Sequence, residues 1–198
     1  MYNETMEYIT DSQLSISDAV ALNPLNPAPT DVLASLVVCP VSYYSFDDNL
    51  HQGQIVMHEA VKDDVLEFFK EAVRLHFPIA HVIPVSDTRY AWSDELSCED
   101  NNTSGFNYRV TPDGKKLSLH GRGLAFDVNP VQNPYIKYEN GTEILRIPHT
   151  GTYKEAAAGT LTAQHQLVLF MKSRGWTWGG DWTIESGRID YHHFEKEV

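Results

Sequence analysis

Apolar positions along the chain follow two different periods. Between Glu59 and Leu75, the residues Val61, Val65, Phe68, Phe69 and Val73 recur at steps of three and four with charges between them, which predicts an amphipathic helix. Phe77-Pro78 ends it, because the residue before a proline avoids the helical region. A second helix is predicted from about Thr162 to Arg174, with Gly175 as its C-terminal cap. Leu33 to Tyr44, rich in Val, Leu and Tyr, predicts a strand despite Pro40, and Ile79 to Val85 a short buried one. Leu124 to Val128, Trp176 to Trp182 and Ile189 to Phe194 also read as extended, with Ser186-Gly187 as a hairpin turn between the last two. Residues 131–160 read as a long loop, and long loops in compact domains often border a functional cleft. The pattern predicts an α+β fold: a small, mainly antiparallel sheet with helices on one side.

Residues 1–30 read as an arm, since Asn23-Pro24-Leu25-Asn26-Pro27-Ala28-Pro29 cannot sit inside a helix or a central strand. Residues 31–198 have the length of one domain with its own core. No apolar run approaches the roughly 18 residues of a membrane-spanning helix. A net charge of -12 argues against nucleic acid and anionic membranes as partners. The nearest basic cluster, Lys115-Lys116 beside Pro112-Asp113-Gly114, reads as a solvated turn. The acidic start, Met1 to Asp11, has neither the basic end nor the apolar run of a secretory signal. The expectation is a chain that is cytoplasmic as made, or exported by a route that leaves no such mark. Cys39 and Cys98 form no CxxC and read as free, structural thiols. Nothing in the sequence indicates the oligomeric state.

The candidate chemistry sits in two segments. In Ser118-Leu119-His120-Gly121-Arg122-Gly123-Leu124-Ala125-Phe126-Asp127, a histidine precedes an aspartate by seven residues, and the glycines between permit sharp turns. Asp127 lies in an apolar run, where a carboxylate is costly unless something pairs with it, as a metal ion would. Near the end of the chain, Asp190-Tyr191-His192-His193-Phe194 supplies further imidazole and a second carboxylate. Neighbouring side chains of an extended segment point to opposite faces, so only one of His192 and His193 can face a metal held with His120 and Asp127. Two histidines and one aspartate with an open fourth position form a sensible catalytic zinc set. A carboxylate that is not a ligand can then act as general base. Asp190 and His193, three apart, fall on opposite faces of a regular strand, so both reach one site only if the chain bends or bulges between them.

The composite pattern Ser-x-His-x-x-Gly-x-Ala-x-Asp, followed far downstream by Asp-x-x-His-Phe, resembles the zinc peptidases of bacterial cell walls. These are the D-Ala-D-Ala carboxypeptidases and dipeptidases and the L-Ala-D-Glu endopeptidases, several phage endolysins among them. The resemblance covers roughly residues 35 to 198. It implies a hedgehog/DD-peptidase-like fold, a Zn2+ cofactor and a peptidoglycan peptide substrate, with His120, Asp127 and His193 as zinc ligands. It further implies that Asp190 is the catalytic base and that Ser118 supports the site. An arginine that stabilises the oxyanion or binds substrate is implied at Arg89, with Arg109 a rival for the task. Asp at position 190 suggests endopeptidase action, and the broader resemblance carboxypeptidase action. The absence of a visible signal fits action on the wall after release or export by another route.

Other residues carry weaker expectations. His192 reads as a surface residue or one behind the ligands, and His51 and His58 as exposed. Trp176, Trp178 and Trp182 share a face if their segment is an unbroken strand; core packing suits most of them, and one could floor a substrate groove. Asp181 is a candidate acceptor behind a metal-bound histidine, or a structural hydrogen-bond partner elsewhere. Glu155, Glu185 and Glu195 read as solvated charges. The rival to a peptidase is a non-catalytic, zinc-stabilised binding domain of the same fold; a retained spare base at Asp190 weighs against it.

Overall fold

The computed structural model of the chain describes residues 8–111 and 116–198, so the Pro112–Gly114 turn and Lys115 lie outside the described residues, while Lys116 is exposed. In chain order the elements are β1 (Ile9–Thr10), α1 (Ile16–Ala19), α2 (Thr30–Ala34), β2 (Leu36–Tyr44), β3 (Leu50–His58), α3 (Lys62–Arg74), β4 (His81–Val82), α4 (Asp94–Glu99), β5 (Asn102–Thr103), β6 (Ala125–Asp127), β7 (Tyr135–Glu139), β8 (Thr142–Ile147), α5 (Gln166–Ser173), β9 (Thr177–Trp178), β10 (Arg188–Asp190) and β11 (His193–Glu195). The fold is α+β, as the periodicities predict. Its strands are divided among small sheets: β1-β3-β2, β10-β7-β8, β6-β11-β9 and the pair β4-β5.

The helix predicted over Glu59 to Leu75 is α3, led in by a short 3-10 helix at Glu59–Val61. Its Val65, Phe68, Phe69 and Ala72 are buried, the apolar stripe that the three- and four-residue spacing requires. Phe68 meets Phe126 edge-on at 5.1 Å and Phe194 at 5.9 Å between ring centres, while Phe126 and Phe194 stack on each other at 5.2 Å. This aromatic cluster joins α3 to the β6-β11-β9 sheet and lies directly behind the candidate site.

Several elements depart from expectation. The 131–160 segment is not one loop: it holds the β7-β8 hairpin, whose Tyr138 and Lys137 flank a register shift. Leu50–His58 forms a full strand against β2, although its polar Gln52 and Gln54 hide it from a hydrophobic pattern. Ser186-Gly187 does end a tight turn, with Gly187 at φ 86, but it makes no hairpin, because β9 joins β11 and β10 joins β7. The extended Trp176 to Trp182 stretch is cut by a 3-10 turn at Gly179–Asp181.

Residues 8–30 lie against the rest of the chain. β1 pairs parallel with β3, Gln54 accepts from Ser12 and from the Leu14 amide, and Asn26 donates to the Tyr108 carbonyl. His51, expected to be exposed, is buried between Asp11 at 2.8 Å and Asp47 at 3.2 Å, and Asp11 also accepts from the Tyr43 hydroxyl. His58 caps the 3-10 helix by accepting from the Ala60 amide. Cys39 and Cys98 are free and buried, and burial pushes the Cys39 thiol up to about 11. Among the described residues no helix is long and apolar enough to cross a membrane.

Candidate metal centre

Strand register places two of the three predicted ligands. In the β6-β11 pair His193 lies directly opposite Asp127, and the next rung pairs Phe194 with Phe126. Side chains alternate across a sheet, so the phenylalanine rung enters the core while the His193–Asp127 rung faces the other way. The third residue comes from a 3-10 helix at Leu119–Arg122. Ser118 caps this helix, its hydroxyl accepting from the His120 amide at 3.3 Å. Gly123 closes it in the left-handed region at φ 67, where a side chain would be strained and would also meet the His58 amide.

The ligand atoms of His120, Asp127 and His193 lie within 4.8 Å of one another, and all three residues are buried. His120 Nε2 is 3.2 Å from Asp127 Oδ2 and 3.1 Å from His193 Nδ1, which in turn is 3.0 Å from Asp127 Oδ1. The other nitrogen of each ring is engaged. His120 Nδ1 donates to the Gly105 carbonyl at 2.8 Å, and His193 Nε2 pairs with Glu195 Oε2 at 3.0 Å. Each ring thereby turns its remaining nitrogen towards the common centre.

The electrostatics fit a cation there. Burial opposes the charge on Asp127, but the imidazoles of His120 and His192 and hydrogen bonds from His120 and His193 hold its carboxyl well below the usual range. Burial would lower the His193 pKa; hydrogen bonds to Asp127 and Glu195 and the nearby charges of Asp127 and Asp190 outweigh it and push it up to about 10. Two imidazole nitrogens and a carboxylate oxygen, converging while their outer atoms are tied, form a donor set suited to Zn2+ with an open position for water.

Asp190 and His193 do reach one cavity. β10 ends at Asp190, a turn at Tyr191–His192 follows, and β11 begins at His193 in a different sheet. The three-residue offset is therefore resolved by a turn between two sheets. Gly179 makes room for it: a Cβ there would lie 2.5 Å from the Asp190 carbonyl oxygen. His192, far from being a surface residue, is buried, with Nε2 2.8 Å from Asp190 Oδ1 and 3.9 Å from Asp127 Oδ1. Asp190 Oδ1 nevertheless has no aligned hydrogen bond among the described residues, which leaves it able to accept one.

The cavity, about 450 Å3, is lined by the three ligand candidates, Asp190, His192 and Ser118 on one side. Arg109, Arg188, Trp182 and Tyr135 contribute further wall. Of the two candidate arginines, the structure brings only Arg109 here. Its Nε lies 3.1 Å from Asp94 Oδ1 without an aligned hydrogen bond among the described residues. Burial disfavours its charge, yet Asp94, Asp127 and Asp190 more than compensate and keep it protonated. Arg89 is exposed in a separate shallow depression beside Tyr90, Glu99 and Asp100. Asp181 is also elsewhere, exposed and paired with Lys172 at 2.6 Å, so the acceptor behind His193 is Glu195, a residue the sequence suggested was merely solvated. The signal for Glu195 was its offset of two from His193, which places both on one face of a strand. Trp176 and Trp178 pack in the core, while Trp182 remains at the cavity rim beneath the Arg188 guanidinium, 4.5 Å from its ring centre.

Residues 112–196 match the family model described as D-alanyl-D-alanine carboxypeptidase, which bears out the family resemblance. The matched segment contains His120, Asp127, Asp190 and His193. No curated protein and no solved structure matches the chain.

Proposed function

With the zinc D-Ala-D-Ala carboxypeptidase family as the premise, we propose that the chain is a zinc-dependent peptidase that hydrolyses an amide bond in peptidoglycan stem peptides. The observation that carries this reading is the convergence of His120 Nε2, His193 Nδ1 and the Asp127 carboxylate in a cavity that also holds the buried Asp190 carboxylate. In this reading His120, Asp127 and His193 hold the ion, which when bound polarises a carbonyl oxygen and acidifies a water. Asp190 accepts the water's proton on its carboxylate and later delivers it to the leaving amine. His192, 2.8 Å away, keeps that carboxylate turned towards the cavity. Arg109, charged and held by Asp94, opposes the negative charge that develops on the carbonyl oxygen. Ser118 acts indirectly, by fixing the turn that carries His120.

Arg109, Arg122, Arg188 and Lys116 line the cavity among Asp94, Asp127, Asp190, Glu195 and Glu197, so cationic side chains are at hand for a carboxylate-bearing substrate although the lining as a whole is not basic. Stem peptides offer such groups at the terminal D-Ala and at D-Glu. The site of action is the cell wall, reached by release or by export. Purified peptidoglycan digested with zinc-loaded protein and read by mass spectrometry identifies the bond: free D-Ala marks a carboxypeptidase, and new amino ends on D-Glu mark an endopeptidase. Either product must vanish with chelator; cleavage that persists without metal overturns the zinc assignment. Asp190→Ala should keep its zinc and lose about 10²–10⁴-fold in turnover. A variant that remains active removes Asp190 from the role of base.

A further inference from the structure

The two imidazoles of the candidate centre are supported differently. His120 is oriented by a backbone acceptor, the Gly105 carbonyl, which no substitution at Gly105 removes. His193 is oriented by a side chain: Glu195 Oε2 lies 3.0 Å from its Nε2. Both residues belong to β11, two apart and so on the same face, and their backbones are fixed by ladder pairs to Asp127 and Ala125 on β6, with Glu195 also opposite Thr177 on β9. Glu195 is half-buried and lines the cavity, and no other hydrogen bond to its carboxylate is present among the described residues.

We infer that Glu195 is a positioning residue for the metal: its carboxylate accepts the Nε2–H of His193, fixes the ring rotation and tautomer, and so presents the Nδ1 lone pair to the ion. This inference builds on the zinc reading above, and applies its logic to a residue outside the ligand set. Without the carboxylate the imidazole can rotate about its Cβ–Cγ bond, or carry its proton on Nδ1, where it would block coordination. A carboxylate behind the ring also makes the imidazole a stronger donor. Removal of such a partner typically weakens metal binding about 10–100-fold.

The test compares Glu195→Gln with Glu195→Met. Both keep the length of the side chain, but only the glutamine retains an acceptor oxygen. Zinc affinity is measured at one fixed pH by competition with a chromophoric chelator, alongside thermal unfolding of the metal-free proteins. The expected result is a dissociation constant raised about 10–100-fold in Glu195→Met and a smaller rise in Glu195→Gln, with metal-free melting close to wild type in both. Glu195→Met binding zinc as tightly as wild type overturns the inference and leaves the zinc reading intact. So does a variant with wild-type affinity but lost turnover, because Glu195 would then act on substrate. A wild-type protein that takes up no zinc overturns the zinc reading, and this inference with it.

Discussion

Phe194 offers the sharpest test of how the core holds the site. It is fully buried, stacks on Phe126, meets Phe68, and sits between His193 and Glu195 on β11. Phe194→Ala removes a large side chain from a region where Phe126 on β6, Phe68 on α3, and Trp178 in β9 with Trp176 just before it are themselves buried, so collapse into the space is restricted. The expected loss is about 3–5 kcal/mol. For a chain of this size that corresponds to a fall in melting temperature of roughly 6–20 °C, taking about 2–4 °C per kcal/mol. Phe194→Leu refills most of the space and should cost about 1.5 kcal/mol or less. Urea unfolding followed by tryptophan fluorescence, with chelator present so that metal binding adds nothing, measures both variants on one scale. A Phe194→Ala protein within about 1 kcal/mol of wild type would refute the claim that the β6-β11 rung behind the site is a packed aromatic layer.

Three further outcomes are expected. Arg109→Ala should lower kcat/KM on a wall peptide by roughly 10²–10³-fold, while Arg89→Ala stays within about twofold, since only Arg109 lines the cavity. Equal losses in steady-state assays would put the arginine assignment aside. Zinc at 100 times its dissociation constant should stabilise the metal-free protein by about 2.7 kcal/mol, seen as a higher melting temperature, and His120→Ala should abolish that gain. Asp64 accepts from Lys196, Trp176 and Arg174; burial works against its charge, but these partners win and hold its pKa below the ordinary value. A carboxylate depressed in the folded state adds stability above its unfolded pKa of 3.8 and loses it as pH falls through the lower folded value. Asp64→Asn should therefore flatten the acid limb of a melting-temperature profile, and an unchanged limb would count against the network.

The sequence made the segments of the proposed ligands legible because a costly feature stood beside a permissive one. Asp127 stands in an apolar run and so requires a partner, and the surrounding glycines let His120 turn back towards it. The helix at Lys62–Arg74 was equally plain, since its buried face repeats at helical spacing. What escaped notice depended on pairing between distant segments. β3 alternates glutamines with Gly53 and His51, and only its ladder with β2 makes it a strand. Arg89 and Arg109 are alike in sequence; they differ because Asp94 and the candidate ligands stand beside Arg109, whereas Arg89 lies by the far end of α4. Asp181 and Glu195 both follow aromatic residues or precede them, yet one faces Lys172 and the other His193, a distinction set by the turn at Gly179–Asp181.

That turn and the one at Tyr191–His192 together determine how the site is assembled. The proposed base belongs to β10, in the sheet with β7 and β8, whereas two of the proposed ligands belong to β6 and β11. Only two residues connect them, so the separation of base and ion depends on how rigidly Tyr191 and His192 are held. Tyr191 stacks on Tyr153 at 3.6 Å between ring centres, and its carbonyl accepts from Trp178 Nε1 at 2.9 Å. The Val128 amide donates to the His192 carbonyl at 3.0 Å, fixing the same turn from the β6 side. The connection is thus pinned from three directions by residues distant in sequence. In the proposed reaction, a proton acceptor placed by such a turn needs little rearrangement when substrate arrives.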